Sequence, residues 1–196
     1  MDLFDTVYQG TPPWDLGRPQ KAFVDLAAAG EVTGSVLDVG CGTGEHVLFF
    51  AGEGHEVLGV DTSSLAIRKA KEKAAARGLP AQFRVWNALG LAGLNRTFDT
   101  VIDSGFFHVL SDEDRPVFAT SLATVLAPGG RYFMLCFSDQ NPGDYPLPRR
   151  ITEREIRETF RDGWDVNSIR PAVFENAIQA EGHHAWLASI ARTGQG

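Results

Sequence analysis

Two acids bracket a run of glycines in this chain. Asp38 lies within the apolar run Val36-Leu37-Asp38-Val39, and Gly40, Gly42 and Gly44 then alternate with Cys41 and Thr43 before Glu45. Glycine serves where a backbone needs unusual dihedrals or where a ligand must come close to it. Negative side chains on both sides of such a loop repel a pyrophosphate and suit a ligand that carries a cation. A third acid, Asp61, ends the run Val57-Leu58-Gly59-Val60. An acid at the carboxyl end of a second strand, roughly twenty residues past a glycine loop, is placed to accept from ribose hydroxyls. Helix capping is the competing role for Asp61, although Thr62 or Ser63 fits it at least as well.

The loop departs from two common phosphate binders. A G-x-G-x-x-G pattern would need glycine where Glu45 stands, and no Gly-Lys pair occurs anywhere to complete a G-x-x-x-x-G-K-[ST] loop. Two cysteines and five histidines show no ligand spacing, so no metal site is expected. Net charge is −7 and no basic run exceeds two residues, which argues against tight binding to nucleic acid or to an anionic membrane. The opening residues lack a basic segment and an apolar core, and no apolar run reaches spanning length. A cytoplasmic protein is expected, with an ordinary 43% apolar content, organised as one domain over 1–196.

The elements that must hold these residues follow from the pattern. The apolar run before Gly40 reads as a buried parallel strand whose loop opens a helix near 45–53. Residues 57–61 make a second buried strand, 64–77 a helix ended by Gly78 and Pro80, and 81–86 a third strand with Phe83 and Val85 on one face. Residues 98–103 are the next strand, 112–126 a helix stopped by Ala127-Pro128-Gly129-Gly130, and 131–137 another strand. Residues 5–20 form an ordered loop in which Tyr8 and Trp14 need burial, followed by a helix near 19–29. Thr152 and Glu155 make a capping box. Two final strands occupy 164–175 and 183–192.

D-V-G-C-G-T-G-E resembles motif I of the class I S-adenosylmethionine-dependent methyltransferases. The resemblance implies an α/β, Rossmann-like sheet of seven strands, mostly parallel with one antiparallel edge strand, and helices on both faces. It implies S-adenosyl-L-methionine as cofactor, with Asp38, Gly40, Cys41, Gly42 and Gly44 at its methionine part and Asp61 and Thr62 at its ribose. Asn87 stands where the family usually has Asp; its amide oxygen can still accept from adenine, with Ala88 beside it, or it is a plain turn residue. With a strand between those that carry Cys41 and Cys136, the thiols are about 9–10 Å apart and no disulfide is expected. F-D-x-V-x-D followed by His108 resembles motif IV, which places Asp103 and Ser104 by the methionine group and makes Asp103 and His108 the catalytic candidates; a packed histidine is the competing reading of His108. The Asn/Asp-Pro-Pro-aromatic motif of base-methylating enzymes is absent.

T-P-P-W-D resembles the amino-terminal cap of the thiopurine, thiol and halide branch. There Trp14 lies over the sulfonium by cation–π attraction or, alternatively, staples the chain end to the surface. The region 1–30 is then a cofactor cap, and 138–151 a substrate lid or a solvated connector. Phe106, Phe107, Tyr145 and Arg149 are the acceptor-binding candidates. The expected activity is methyl transfer to a small thiol, phenol, quinol or heteroaromatic, by a monomer or weak homodimer. A non-catalytic S-adenosylmethionine sensor and, further off, a nucleotide-dependent oxidoreductase are the alternatives.

Overall fold

A computed structural model describes residues 3–143 and 148–193. Its centre is a seven-stranded sheet in the order β3-β2-β1-β4-β5-β7-β6. In chain order the strands are β1 Val36–Val39, β2 Val57–Asp61, β3 Gln82–Val85, β4 Phe98–Ser104, β5 Leu126–Phe137, β6 Trp164–Phe174 and β7 His183–Arg192. β1 to β5 pair in parallel, and β7 runs antiparallel to both of its neighbours. The expected antiparallel edge is therefore present, with the reversed strand one place in from the outermost β6.

Alternation along the strands feeds two cores. On one face Leu37, Val39, Leu58, Val60, Tyr132 and Met134 pack beneath α5 (Asp114–Val125) and α6 (Glu153–Thr159). On the other, Val36, Val57, Ile102, Phe133 and Leu135 pack beneath α2 (Lys21–Ala28), α3 (Glu45–Gly52) and α4 (Ser64–Arg77). Parallel strands covered on both faces are apolar on both, which is why β1 and β2 read as continuous apolar runs. Each fully buried Leu or Phe in these layers contributes about 1.5–3 kcal/mol. The chain turns back between β3 and β4, so the carboxyl ends of β1 and β4 sit side by side, and open α/β sheets bind ligands at that reversal.

Several local expectations hold and others shift. Thr152 and Glu155 form the reciprocal capping box at the start of α6. Residues 5–20 are not loop throughout, because α1 spans Leu3–Val7. Phe83 is buried, but Val85 remains 51% exposed: β3 is an edge strand, covered by α4 on one part of its face only. Residues Ala88–Leu94 form 3-10 turns tied to α5 through Ser121, which donates to the Ala88 carbonyl and accepts from the Leu91 N–H. β5 takes in the Ala127-Pro128-Gly129-Gly130 turn, across a register shift opposite Phe98 and Thr100. Cys41 and Cys136 are both buried free thiols, with β4 between their strands. No helix among the described residues is long and apolar enough to cross a membrane.

Candidate active site

The glycine loop leaves β1 with Gly40, Gly42 and Gly44 all at positive φ, a region side chains rarely enter. Space at these positions is also taken. A Cβ on Gly40 would lie 2.9 Å from Phe106 Cβ, and one on Gly42 would lie 2.7 Å from the Tyr8 hydroxyl. Gly44 opens α3 against the Phe83 ring. Gly59 on β2 belongs to the same construction, because a Cβ there would meet Cys41 Sγ at 2.8 Å. Cys41 is thus a packing residue of the loop, and burial pushes its thiol up, away from the reactive thiolate.

Asp38 is 1% exposed, and its Oδ2 is buried with no hydrogen-bond partner among the described residues. Burial, with Asp103 and Asp61 nearby, holds its carboxyl well above the usual range. A buried carboxylate oxygen without a partner is costly, and a cation next to it would offset the cost. Asp61 accepts from the Gly42 N–H at 2.9 Å and the Ser63 N–H at 2.8 Å. It thereby ties the loop to the end of β2. The cap on α4 falls to Ser63, whose hydroxyl accepts from the Ala66 N–H. Thr62 stands exposed beside Asp61. These groups fit the cofactor that motif I implies.

The second acid beside the loop behaves differently. Glu45 is buried, but Lys73 at 2.7 Å and Arg77 at 3.0 Å, both on α4, answer its charge. The expectation that Glu45 draws a cationic ligand is corrected here. Asp38 and Asp61 form the negative edge of the site, and Glu45 locks α3 onto α4. The signal lay in the basic residues of α4, which carry no mark in the sequence of where they point.

Asp103, at the end of β4, is fully buried. Its Oδ1 accepts from the Phe106 N–H at 2.7 Å, and Oδ2 accepts from the Phe107 N–H at 2.9 Å and the Tyr132 hydroxyl at 2.8 Å. Burial nonetheless pushes it up to about 7. Two of these hydrogen bonds shape the turn after β4 and the third ties that turn to Tyr132 of β5, a positioning arrangement in place of the expected catalytic one. Ser104 and Gly105 are half-buried at the mouth of that turn.

His108 is 5% exposed between the rings of Phe137 and Phe174. Its Nδ1 accepts from the Phe137 N–H at 3.0 Å, and burial lowers its pKa to about 3. A ring nitrogen that accepts from a backbone amide is unprotonated, so the neutral ring carries its proton on Nε2. The expected general base is corrected accordingly, since the nitrogen on offer already holds its proton.

The remaining candidates divide. Phe106 is half-buried against Gly40 and Phe118. Phe107 is wholly buried against Phe160, with Arg115 over its ring, and is a core residue. Arg149 points its guanidinium at Asp112 and the Leu110 carbonyl, away from an acceptor role. Tyr145 lies outside the described residues. Asn87 Oδ1 accepts from the Leu89 N–H, which realises the turn role, and Ala88 is buried behind it. Trp14 stays 42% exposed and donates to the Tyr8 hydroxyl. Tyr8 is the aromatic placed over the glycine loop, a role missed because its spacing from the loop is not local. A cavity of about 390 Å³ opens at the same end of the sheet, lined by Asn141, Pro142, Val173, Gln179, His183 and neighbouring residues, and His183 stacks on Phe137.

Comparison with known proteins follows this geometry. Residues 36–130 match a family described as a methyltransferase domain. A 2-heptyl-1-hydroxyquinolin-4(1H)-one methyltransferase from Mycobacteroides abscessus is 36% identical over 87% of this chain and 80% of its own length. A probable thiol methyltransferase from Arabidopsis thaliana is 30% identical over 74% of this chain and 66% of its own length. A solved structure described under the conversion of a disulfide bond into a thioacetal group during echinomycin biosynthesis superposes with a TM-score of 0.90 at 38% identity, covering 97% of this chain and 92% of that one.

Proposed function

Because this chain belongs to the class I S-adenosylmethionine-dependent methyltransferases, we propose that it methylates a small thiol or hydroxylated heteroaromatic at the cleft between the carboxyl ends of β1 and β4. The observation that carries the reading is Asp38, a buried carboxylate beside the glycine loop whose Oδ2 has no hydrogen-bond partner among the described residues. Asp61 takes the ribose, and Asn87 and Ala88 border the adenine. S-Adenosylmethionine supplies a methyl group already activated by a positive sulfur. This chain's own residues then hold the acceptor in line at about 3–3.5 Å and exclude water. Phe106, Gly105 and His108 border the acceptor, and the cavity beside His183 takes its apolar remainder. The names of the hydroxyquinolone and thiol methyltransferases support that acceptor class.

The acidic net charge supports a protein that acts in the cytoplasm on small molecules, without nucleic acid or membrane partners, as one domain and as a monomer or weak homodimer. Incubation with S-adenosylmethionine and a panel of thiols, phenols and hydroxyquinolones, followed by mass spectrometry, tests the reading. A product heavier by one methylene unit is expected with at least one member; donor binding without transfer to any member contradicts it.

A further inference from the structure

Three of the five large apolar side chains left exposed among the described residues gather at one end of the sheet. Val173, 49% exposed, stands near the end of β6, and Ile178, 82% exposed, lies in the turn between β6 and β7. Trp14, 42% exposed, follows Pro13, whose carbonyl accepts from the Ala177 N–H of that turn. Apolar surface gathered beside a cavity is the mark of a ligand groove. We propose that this groove receives an apolar substituent of the methyl acceptor. The substrates are then phenols or thiols that carry an alkyl or aryl group, and Val173 with the turn after β6 sets how long that group can be. The inference rests on the methyl-transfer reading above and deepens it.

The cavity of about 390 Å³ is lined by Val173, Gly182 and His183 of the β6–β7 hairpin and by Asn141 and Pro142 of the segment after β5. Gly182, at φ +68, lets the turn lie close on β6, because a Cβ there would press on Val173 and stand 2.8 Å from the Phe174 carbonyl oxygen. Polar groups around the cavity are already matched. Asn141 Nδ2 donates to the carbonyls of Ser138 and His184, Asn141 Oδ1 accepts from the His184 N–H, and the Gly182 N–H donates to the Gln179 carbonyl. Burial, with His184 beside it, lowers the pKa of His183, so that ring is neutral at pH 7 and stacks on Phe137. These walls therefore offer a ligand apolar contact, with the exposed side chains of Gln179 and Glu181 as a polar border. Aromatic rings lead here from the cleft. His108, packed against Gly105 after β4, lies 4.9 Å from Phe137, and Phe137 lies 4.7 Å from His183. An acceptor whose reacting atom is held near Gly105 reaches the cavity with a body roughly 10 Å long, the span of roughly eight carbon–carbon bonds. A bare small thiol leaves that length unused.

The test titrates para-ethyl-, para-butyl- and para-hexylphenol into the full chain loaded with S-adenosylhomocysteine, whose own binding is measured first by calorimetry. Affinity is expected to rise about two- to fourfold per added methylene across the series. Val173→Asp should remove that gain, and Val173→Phe should stop it at a shorter chain, both with S-adenosylhomocysteine affinity within about twofold. Carbon-13 NMR of the unmodified protein should show the Val173 methyl signals shifting as para-hexylphenol is added, which keeps the test decisive where a variant fails to fold. Affinity independent of chain length, a gain that survives Val173→Asp, or no phenol binding to the loaded chain would overturn the proposal alone. So would Val173 signals that move with protein concentration and not with phenol, because a second copy of the chain would then occupy the groove. Absence of S-adenosylhomocysteine binding would overturn the methyl-transfer reading beneath it.

Discussion

Asp38 and Asp61 are both acids at strand ends, but they differ in what surrounds them. Asp61 has backbone partners, and Asp38 has an oxygen without a partner among the described residues. A cation bound near Asp38 favours the ionised form, so binding releases the proton that burial holds on this carboxyl. S-Adenosylmethionine affinity is therefore expected to rise with pH through the raised pKa of Asp38. Calorimetry in buffers of different ionisation enthalpy should show proton release that Asp38→Asn abolishes; affinity independent of pH would contradict this. Asp61→Ala should weaken donor binding by about 1–3 kcal/mol, the cost of ribose hydroxyls left unmatched and of the freed Gly42 N–H, as measured by the same titration. The placement of both acids near the ends of β1 and β2 was legible in the sequence, because their spacing from the glycines carries that information. The tautomer of His108 was not, because it is set by a backbone N–H from β5, twenty-nine residues away.

The contact between α3 and α4 carries a sharper contrast. Glu45 is adjacent to the loop, yet Lys73 and Arg77 answer its charge. Glu45→Gln should therefore lower stability by about 1–3 kcal/mol, as charged hydrogen bonds are lost, and leave donor affinity within about twofold. Denaturant unfolding and calorimetry separate the two effects; a large loss of affinity would restore Glu45 to the site. The turn after β4 makes its own prediction. Asp103 has a folded pKa of about 7 against an ordinary 3.8. For an acid raised in this way the fold disfavours the charged form. The penalty is absent below about pH 4 and grows until about pH 7, at up to about 1.4 kcal/mol per pH unit. Asp103→Asn should flatten that part of the stability-versus-pH curve, even where the lost acceptor lowers its level. The strands and helices were readable because apolar period and turn chemistry agreed. The 3-10 turns at 88–94 were not, since they depend on Ser121 of α5.

Across the molecule, the amino-terminal segment straps the carboxyl edge of the sheet at both ends. Lys69 donates to the carbonyls of Tyr8 and Gly10, and Thr43 donates to Asp15. At the far end Gln20 exchanges two side-chain hydrogen bonds with the Glu175 backbone, and Ala177 N–H reaches the Pro13 carbonyl. Gln20→Ala leaves the half-buried N–H and carbonyl of Glu175 unmatched, so faster amide exchange over residues 8–20 and weaker donor binding are expected; unchanged exchange would show that the strap is held elsewhere. T-P-P-W-D carries no sign of these anchors, which are long-range, and it is the Tyr8 hydroxyl that stands against Gly42 while Trp14 stays 42% exposed. The central proposal is that the glycine loop after β1 receives a sulfonium nucleoside. Calorimetric titration of the unmodified protein with S-adenosylmethionine and, separately, with NAD tests it most directly. One S-adenosylmethionine per chain and no heat from NAD is the expected result, and binding of NAD in place of S-adenosylmethionine would contradict it.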